Sequence, residues 1–133
     1  MGNQNNNLYD LEERTFLFAK DIRTHVKTLV KTIANNEDSK QLIRSSGSVG
    51  ANYIEANESL GKKDFLMRIR ISRKEAKESR YWLKLLEVPQ NDISMQKHEE
   101  LIQEATELML IFGSILRKTE VKNKETEISE KHL

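Results

Sequence analysis

Apolar residues recur at spacings of three and four along most of the chain, which is the period of an amphipathic α-helix. The first predicted helix covers residues 10–34, because Asp10 and Glu13 can accept hydrogen bonds from free amides in its first turn. Residues 35–38 have the composition of a turn, so a second helix is expected over residues 40–60. The core stripe predicted for the first helix consists of Leu11, Thr15, Phe18, Ile22, Val26, Leu29 and Ile33.

The second predicted helix contains small residues where a helix interior normally carries larger ones. Gly47 and Gly50 stand among serines, and a glycine inside a helix destabilises it by about 0.5–1 kcal/mol relative to alanine. Such a stretch is favoured where the backbone of another helix comes unusually close. We therefore expect tight helix packing here, with Leu42, Val49, Tyr53 and Ala56 as apolar neighbours on the same face.

Two further helices are predicted after Gly61, which is expected to end the second one. The third covers residues 65–87 and shows the alternating spacings of three and four that are typical of a bundle seam. Pro89 marks the next break, because the residue before a proline is disfavoured in helical geometry. The fourth covers residues 94–118, and residues 119–133 are too polar to contribute a core, which predicts a flexible tail.

Together these elements predict an all-α fold, an antiparallel up-down-up-down four-helix bundle that forms one domain over residues 10–118. Residues 1–9 are polar and are expected to be disordered, and they lack the basic start and apolar run of a secretory signal. No apolar run is long enough to span a bilayer. We therefore expect a cytoplasmic protein with no membrane partner.

Composition removes several kinds of chemistry. The chain has 133 residues, of which 37% are hydrophobic and 32% are charged, and its formal net charge is +1. It contains no cysteine, which excludes disulfides, thiolate zinc sites and cysteine nucleophiles. Because the net charge is small, any attraction for phosphate depends on how the charges are distributed.

No motif in the chain dictates a reaction. A di-iron bundle needs paired Glu-x-x-His motifs, but Ile22 stands three residues before His25. Met95 precedes His98 at the same spacing, and the glycines of the second helix do not continue into a phosphate-binding loop. We therefore expect no enzyme, no metal site and no cofactor, and we interpret His98 as a residue at the edge of the core.

One side of the third predicted helix is strongly basic. Cations with an aromatic residue among them form the arrangement that a phosphate-tracking surface requires. The alternative is an ordinary solvated face, in which Lys74 pairs with Glu78 one turn away. The predicted nucleic-acid-binding residues are Lys62, Lys63, Arg70, Arg73, Lys74, Lys77, Tyr81 and Lys84.

Three large apolar residues fall outside the predicted core stripes and are candidates for an interface. Trp82 lies beside the seam of the third helix, and a large aromatic residue half outside a small bundle is typical of an interface anchor. The alternative is that Trp82 covers the edge of its own core. Phe16 and Leu17 lie off the stripe of the first helix and favour self-assembly.

Two segments of the chain resemble a known bacterial family. They are SGSVGANYIEA at residues 46–56 and DFLMRIRISRKEAKESRYWLKLL at residues 64–86. Both are similar to the four-helix-bundle family named for 23S rRNA intervening sequences, and the resemblance covers residues 8–118. A polar signature residue that is buried needs hydrogen-bond partners, so we interpret Asn52 and Glu55 as parts of a structural network. The signature positions are Gly50, Asn52, Glu55, Glu75 and Glu78.

The resemblance implies a bundle that tends to assemble into a pentameric ring. It also implies similarity to the accessory protein of diversity-generating retroelements, a basic pentamer that binds nucleic acid and a reverse transcriptase. We therefore expect a non-enzymatic, self-associating module that binds RNA or DNA through the basic side of the third helix. The alternative is a structural scaffold that binds a protein partner and makes no contact with nucleic acid.

Overall fold

The computed structural model describes residues 10–131, and within them the side chains of residues 10–122 and 124–129. The predicted disorder of residues 1–9 lies outside the described residues. The chain forms four helices, which are α1 (Leu11–Lys27), α2 (Ile33–Asn57), α3 (Lys62–Leu85) and α4 (Asp92–Lys131).

Each helix packs against its neighbours in sequence, and α4 returns to contact α1, which closes the bundle. Short turns join the helices, so consecutive helices run in opposite directions. The predicted all-α, up-down-up-down four-helix bundle is therefore confirmed. All four helices contribute to one apolar core, whose enclosed side chains include Phe18, Ile22, Leu42, Val49, Ile69, Leu83, Leu108 and Phe112.

The turn between α1 and α2 lies earlier in the chain than the sequence pattern indicates. α1 ends at Lys27, and Thr32 caps α2 by accepting a hydrogen bond at Oγ1 from the Asn35 amide at 3.0 Å. The prediction of a turn at residues 35–38 is wrong, because these residues form the start of α2. Ile33, which was predicted in the core stripe of the first helix, is 86% exposed.

The sequence pattern misplaces the break between α2 and α3 but correctly places the break between α3 and α4. α2 ends at Asn57, and Gly61 does not end it but instead caps the start of α3, with φ of −139°. The break at Pro89 is confirmed, since α3 has ended before it and α4 begins after it. Asn91 Oδ1 accepts a hydrogen bond from the Ser94 amide at 2.9 Å at the start of α4.

α4 is longer than the sequence pattern predicts. It continues as a helix to Lys131, whereas the predicted end was residue 118. Beyond residue 120 every described side chain is exposed, so this extension adds nothing to the core, as expected. Lysine and glutamate have high intrinsic helix propensity, which allows a polar segment to prolong a helix. The flexibility of this segment stays a prediction.

Serine hydroxyls line the contact between α2 and α3. The Oγ atoms of Ser45 and Ser79 lie 2.8 Å apart, and both residues are fully buried. Ser72 Oγ donates to the Val49 carbonyl across the same contact at 2.9 Å. Small side chains let the two backbones approach, and each of these buried hydroxyls has a partner, as a buried polar group requires.

The two glycines of α2 have different surroundings. A Cβ on Gly50 would lie 2.8 Å from Thr15 Oγ1 of α1, so the expected tight packing is confirmed at this position. Thr15 is buried and donates its hydroxyl to the Leu11 carbonyl at 2.7 Å, which holds the side chain in place. A Cβ on Gly47 would meet Arg23 Nη2 at 3.5 Å, which is ordinary contact.

Gly50→Ala is expected to lower the free energy of unfolding by about 2 kcal/mol, because α1 must move away from the added methyl group. Gly47→Ala is the matched control and should raise it by about 0.5–1 kcal/mol, since alanine favours the helix and restricts the unfolded chain. Urea unfolding followed by circular dichroism measures both values. Two variants of equal stability would contradict the difference in packing.

Asn35 joins the two turns at one end of the bundle. The residue is 2% exposed, and its Nδ2 donates to the carbonyls of Val30 and Glu87, each at 3.0 Å. Its Oδ1 accepts a hydrogen bond from the Glu87 amide at 3.0 Å. One side chain therefore satisfies main-chain groups in both the α1–α2 turn and the α3–α4 turn.

Candidate nucleic-acid interface

The outward side of α3 carries the predicted basic residues. Ile69, Ala76 and Leu83 are fully buried at spacings of seven, which turns the opposite side of the helix toward solvent. The structure exposes all the predicted nucleic-acid-binding side chains. We call this set the α3 basic face, and its members are Lys62, Lys63, Arg70, Arg73, Lys74, Lys77, Tyr81 and Lys84.

Most cations of the α3 basic face have no ion partner. The exception is Arg70, whose Nη2 lies 2.7 Å from Glu120 Oε1 of α4. The other six cations form no ion pair with the side chains that the structure describes. The pair of Lys74 with Glu78 that the alternative of a solvated face expects is not formed, and Arg44 Nη2 of α2 contacts Glu78 Oε1 at 3.5 Å. The positive charge of this face is therefore less neutralised than the helical spacing suggests.

An open depression of about 490 Å³ lies within this face and is lined by Lys74, Lys77, Glu78, Tyr81 and Trp82. Tyr81 is 57% exposed, and the edge-to-face contact between its ring and that of Trp82 has a centroid distance of 5.2 Å. Ammonium groups attract phosphate, and an exposed tyrosine ring offers a surface on which a base can stack. The arrangement suits a nucleic-acid strand that runs along α3.

Trp82 is half-buried and packs against the core, in agreement with the interpretation that it covers the edge of its own core. Its indole Nε1 is also buried, and it has no hydrogen-bond acceptor in the described part of the chain. An unpaired buried donor of this kind destabilises a protein by about 1–3 kcal/mol. The role of Trp82 as an interface anchor stays a prediction.

The signature glutamates of α3 lie on the side that faces α2. Glu75 is 6% exposed, and its Oε2 accepts a hydrogen bond from Arg44 Nη1 at 3.4 Å. Its other oxygen, Oε1, has no partner among the residues that the structure describes. Arg44 also contacts Glu78. One guanidinium of α2 therefore connects both signature carboxylates and helps to orient α3.

Asn52 links α2 to α3, whereas Glu55 does not. Asn52 Oδ1 accepts a hydrogen bond from Arg68 Nη1 of α3 at 3.0 Å. Its Nδ2 donates to the carbonyl and the hydroxyl of Ser48, each at 2.9 Å. Glu55 is exposed, and its carboxylate forms no ion pair in the part of the chain described. The structural network expected for both residues is therefore present for Asn52 alone.

The two predicted interface residues of α1 do not share a surface. Phe16 is 56% exposed and, with Ile54 of α2, faces an open groove of about 340 Å³ between the two helices. Leu17 is 47% exposed and lies on the other side of α1, toward Glu104 of α4. The sequence pattern placed both residues off the core stripe but did not separate these two directions.

Sequence reasoning missed a buried histidine pair that joins α1 to α4. His25 Nε2 and His98 Nδ1 lie 3.1 Å apart, and the stacked rings have a centroid distance of 5.3 Å. Burial lowers the pKa of His25 to about 4, and the nearby charges of His98 and Lys97 act in the same direction. Burial also lowers the pKa of His98, against an opposing effect of Glu99. The interpretation of His98 as a core-edge residue is confirmed, since it is 7% exposed.

The remaining chemistry of residues 10–131 is limited. Among the side chains of residues 10–122 and 124–129, no three His, Asp or Glu are grouped so that they could hold a metal ion. Nor does this range contain a helix that is both long enough and apolar enough to cross a membrane. The candidate site therefore consists of positive charge and an exposed aromatic ring.

The fold and this site define a small four-helix bundle with a cationic outer helix. The chain matches the family model of the 23S rRNA-intervening sequence protein over residues 9–114, and it belongs to this family. The resemblance inferred from the two signature segments is thereby confirmed. The similarity to the retroelement accessory protein stays a prediction.

A solved structure supports the same assignment. It is the crystal structure, at 1.70 Å resolution, of a protein of unknown function from the S23 ribosomal protein family of Bacteroides thetaiotaomicron VPI-5482. The two chains are 31% identical and superpose with a TM-score of 0.64, over 79% of this chain and 96% of the other. No curated protein matches this chain.

Proposed function

We propose that this chain is a non-enzymatic, cytoplasmic module that self-associates into a ring, most simply a pentamer, and binds nucleic acid through the α3 basic face. The observation that carries the proposal is the set of six exposed cations without ion partners among the described residues. Two of them, Lys74 and Lys77, line a depression together with Tyr81, which is itself exposed. Paired cations would already be neutralised, so their freedom is what makes the face available to phosphate.

The charge of the α3 basic face predicts phosphate binding that depends on salt and is weak for a single copy. Each cation that neutralises a phosphate releases counterions, so affinity should fall steeply as the salt concentration rises. One copy has a net charge of only +1, which predicts weak binding by a single copy. A ring would present several copies of the face to one strand, and the contacts would then reinforce each other by avidity.

The names of the relatives make structured RNA the first ligand to test. The family is described by 23S rRNA intervening sequences, and the similar Bacteroides protein is described as a member of the S23 ribosomal protein family. These descriptions belong to those proteins. For this chain they favour a base-paired RNA probe, with duplex DNA of matched length for comparison.

Arg73→Glu/Lys77→Glu is expected to weaken binding of a labelled RNA hairpin at least tenfold, because two phosphate contacts become repulsive. The matched control is Lys27→Glu/Lys31→Glu, which makes the same change in net charge on exposed positions away from α3. Mobility-shift titrations at two salt concentrations measure the affinity and its salt dependence. We expect the control to change affinity less than threefold.

Two results would overturn the nucleic-acid proposal. One is that the unmodified chain binds neither probe at micromolar concentration and low salt. The other is that both double variants weaken binding equally, because net charge rather than the α3 basic face would then explain the attraction. In either case the second candidate, a scaffold for a protein partner, would remain. The exposed apolar side chains Phe16 and Leu85 favour that candidate.

A further inference from the structure

We propose that Arg73 of α3 and Arg117 of α4 together hold one phosphate group where the two helices meet. We call these two residues the arginine pair. The inference deepens the proposed nucleic-acid binding and rests on it for the source of the phosphate, which is the backbone of the bound strand. It adds a residue of α4 that the α3 basic face does not contain. Free inorganic phosphate shares the same chemistry and is the second source to test.

The guanidinium groups of the arginine pair converge on one point beside Gly113 of α4. An added Cβ on Gly113 would lie 3.4 Å from Arg117 Nη1 and 3.6 Å from Arg73 Nε. The Arg73 side chain therefore reaches across from α3 to α4. Arg117 follows Gly113 by one helical turn and lies on the same face of α4. Because glycine has no side chain, both guanidinium groups can come close to this point.

Neither member of the arginine pair has an ion partner. Among the side chains that the structure describes, neither Arg73 nor Arg117 forms a salt bridge, and both are exposed. Two like charges that lie this close repel each other, and water and salt screen the repulsion only in part. An anion bound to both groups replaces that repulsion with two attractions.

The next turn of the same helix contact contains a carboxylate in the corresponding place. Arg70 of α3 reaches Glu120 of α4, with Nη2 2.7 Å from Oε1. Arg70 precedes Arg73 by three residues, and Glu120 follows Arg117 by three, as the antiparallel direction of the helices requires. Where α4 presents an acid to Arg70, it therefore presents a second cation to Arg73. The phosphate takes the place that a carboxylate occupies one turn away.

The donors of the arginine pair suit phosphate in particular. A guanidinium is planar, stays charged at every relevant pH and presents N–H groups in a fork that matches the oxygens of a phosphate. A phosphodiester has two unesterified oxygens, so each arginine can bind one of them. Lys77 is exposed one turn further along α3, about 5.4 Å away, and offers a cation to the next part of the strand.

Arg117→Gln tests the pair at a residue outside the α3 basic face. It is expected to weaken binding of the labelled RNA hairpin at least fivefold and to reduce the salt slope by about one, because one phosphate contact is lost. Lys118→Gln is the matched control, since it removes the same charge from an exposed residue that points about 100° away around α4. We expect the control to change affinity less than twofold. Circular dichroism should report the same helical fold for both variants.

Gly113→Leu changes the geometry of the arginine pair without changing its charge. The added side chain would occupy the space beside the two guanidinium groups, whose flexible ends can move aside, and RNA affinity should fall at least threefold. Arg73→Gln/Arg117→Gln should weaken binding by less than the product of the two single effects, because both arginines hold the same phosphate. Unchanged affinity of Gly113→Leu, or single effects that multiply in the double variant, would overturn the shared site.

Inorganic phosphate distinguishes the two sources of the ligand. NMR signals of the arginine Nε–H groups in isotope-labelled protein are compared in phosphate and in chloride at equal ionic strength. Shifts of Arg73 and Arg117 that only phosphate produces would show that the free anion is sufficient, whereas loss of RNA affinity without them would assign the site to the strand.

The inference and the proposed function fail in different ways. If Arg117→Gln binds RNA like the unmodified chain and no phosphate-specific shift is seen, the inference is overturned while the proposed function stands. If the unmodified chain binds no RNA, the proposed function is overturned, and the phosphate-specific shifts alone decide whether the arginine pair binds phosphate.

Discussion

Asn35→Ala is expected to lower the free energy of unfolding by about 3 kcal/mol. The substitution removes three hydrogen bonds of 3.0 Å and leaves both main-chain groups of Glu87 without this partner, whereas the Val30 carbonyl still accepts the Thr32 amide at 3.1 Å. Since Asn35 is 2% exposed, water cannot replace it without opening the end of the bundle. Both turns at that end should loosen together.

The neighbouring residue provides the control for this prediction. Asn36 is exposed and forms none of these three hydrogen bonds. Asn36→Ala makes the same change of side chain and should therefore alter stability by less than about 0.5 kcal/mol. Urea unfolding with circular dichroism measures both free energies. A difference below about 1 kcal/mol between the two variants would show that Asn35 does not hold the turns together.

Lowering the pH from 6.5 to 4 is expected to destabilise the protein by about 3 kcal/mol through His25 alone. Burial lowers the pKa of His25 from 6.5 in the unfolded chain to about 4 in the folded protein. Within that window the unfolded chain binds the proton more tightly, so stability falls as the pH decreases. The contribution of His25 is fully present above pH 6.5 and is lost once the pH has passed below about 4.

Charged residues of α4 near the histidine pair also act on this titration. Lys97, which lies 3.9 Å from Asp21, lowers the pKa of His25 further, whereas Glu99 favours the protonated form of His98. His25→Gln cannot titrate, so its stability should depend much less on pH between 6.5 and 4. Urea unfolding at several pH values compares the two chains. Parallel pH profiles would show that the acid sensitivity comes from groups other than His25, such as His98 or the carboxylates.

Much of the fold could be predicted because helix period and burial reinforce one another in this chain. The stripe through Ile69, Ala76 and Leu83 is regular, and all three residues are fully buried. Asp10 was identified as a cap from its own side chain, and its Oδ1 does accept the Glu13 amide at 3.1 Å. Both signals are local, so neither required knowledge of the rest of the molecule.

The α1–α2 turn could not be placed in the same way because its local signals are misleading. Asparagines and acids at residues 35–38 resemble a turn, but Thr32 caps the helix before them. The one available clue is the three-residue spacing between Thr32 and Asn35, because Thr32 Oγ1 accepts a hydrogen bond from the Asn35 amide. The position of the turn is decided by the hydrogen bond between the buried Asn35 side chain and the Glu87 carbonyl, 52 residues away.

The sequence pattern predicted which residues form the α3 basic face, but it did not predict which of the charges on α3 are paired. Helical spacing placed the residues of the α3 basic face on one side of the helix, because residues on one side recur with the helical period. It could not show that Glu78 is contacted by Arg44 of α2 and not by Lys74. Pairing between helices depends on how they pack, and the same limit hid the contact of His25 with His98.

The serine hydroxyls between α2 and α3 select one register for this bundle. A slide of α3 by one helical turn moves it by about 5.4 Å, which would separate Ser45 from Ser79 and Ser72 from the Val49 carbonyl. Ser45 and Ser79 would keep the Leu42 and Glu75 carbonyls of their own helices as acceptors, but Ser72 would lose its partner, which would destabilise the shifted arrangement by about 1–3 kcal/mol. Apolar side chains of similar volume tolerate such a shift more easily. The serines therefore add specificity to a core whose stability comes mainly from its apolar residues.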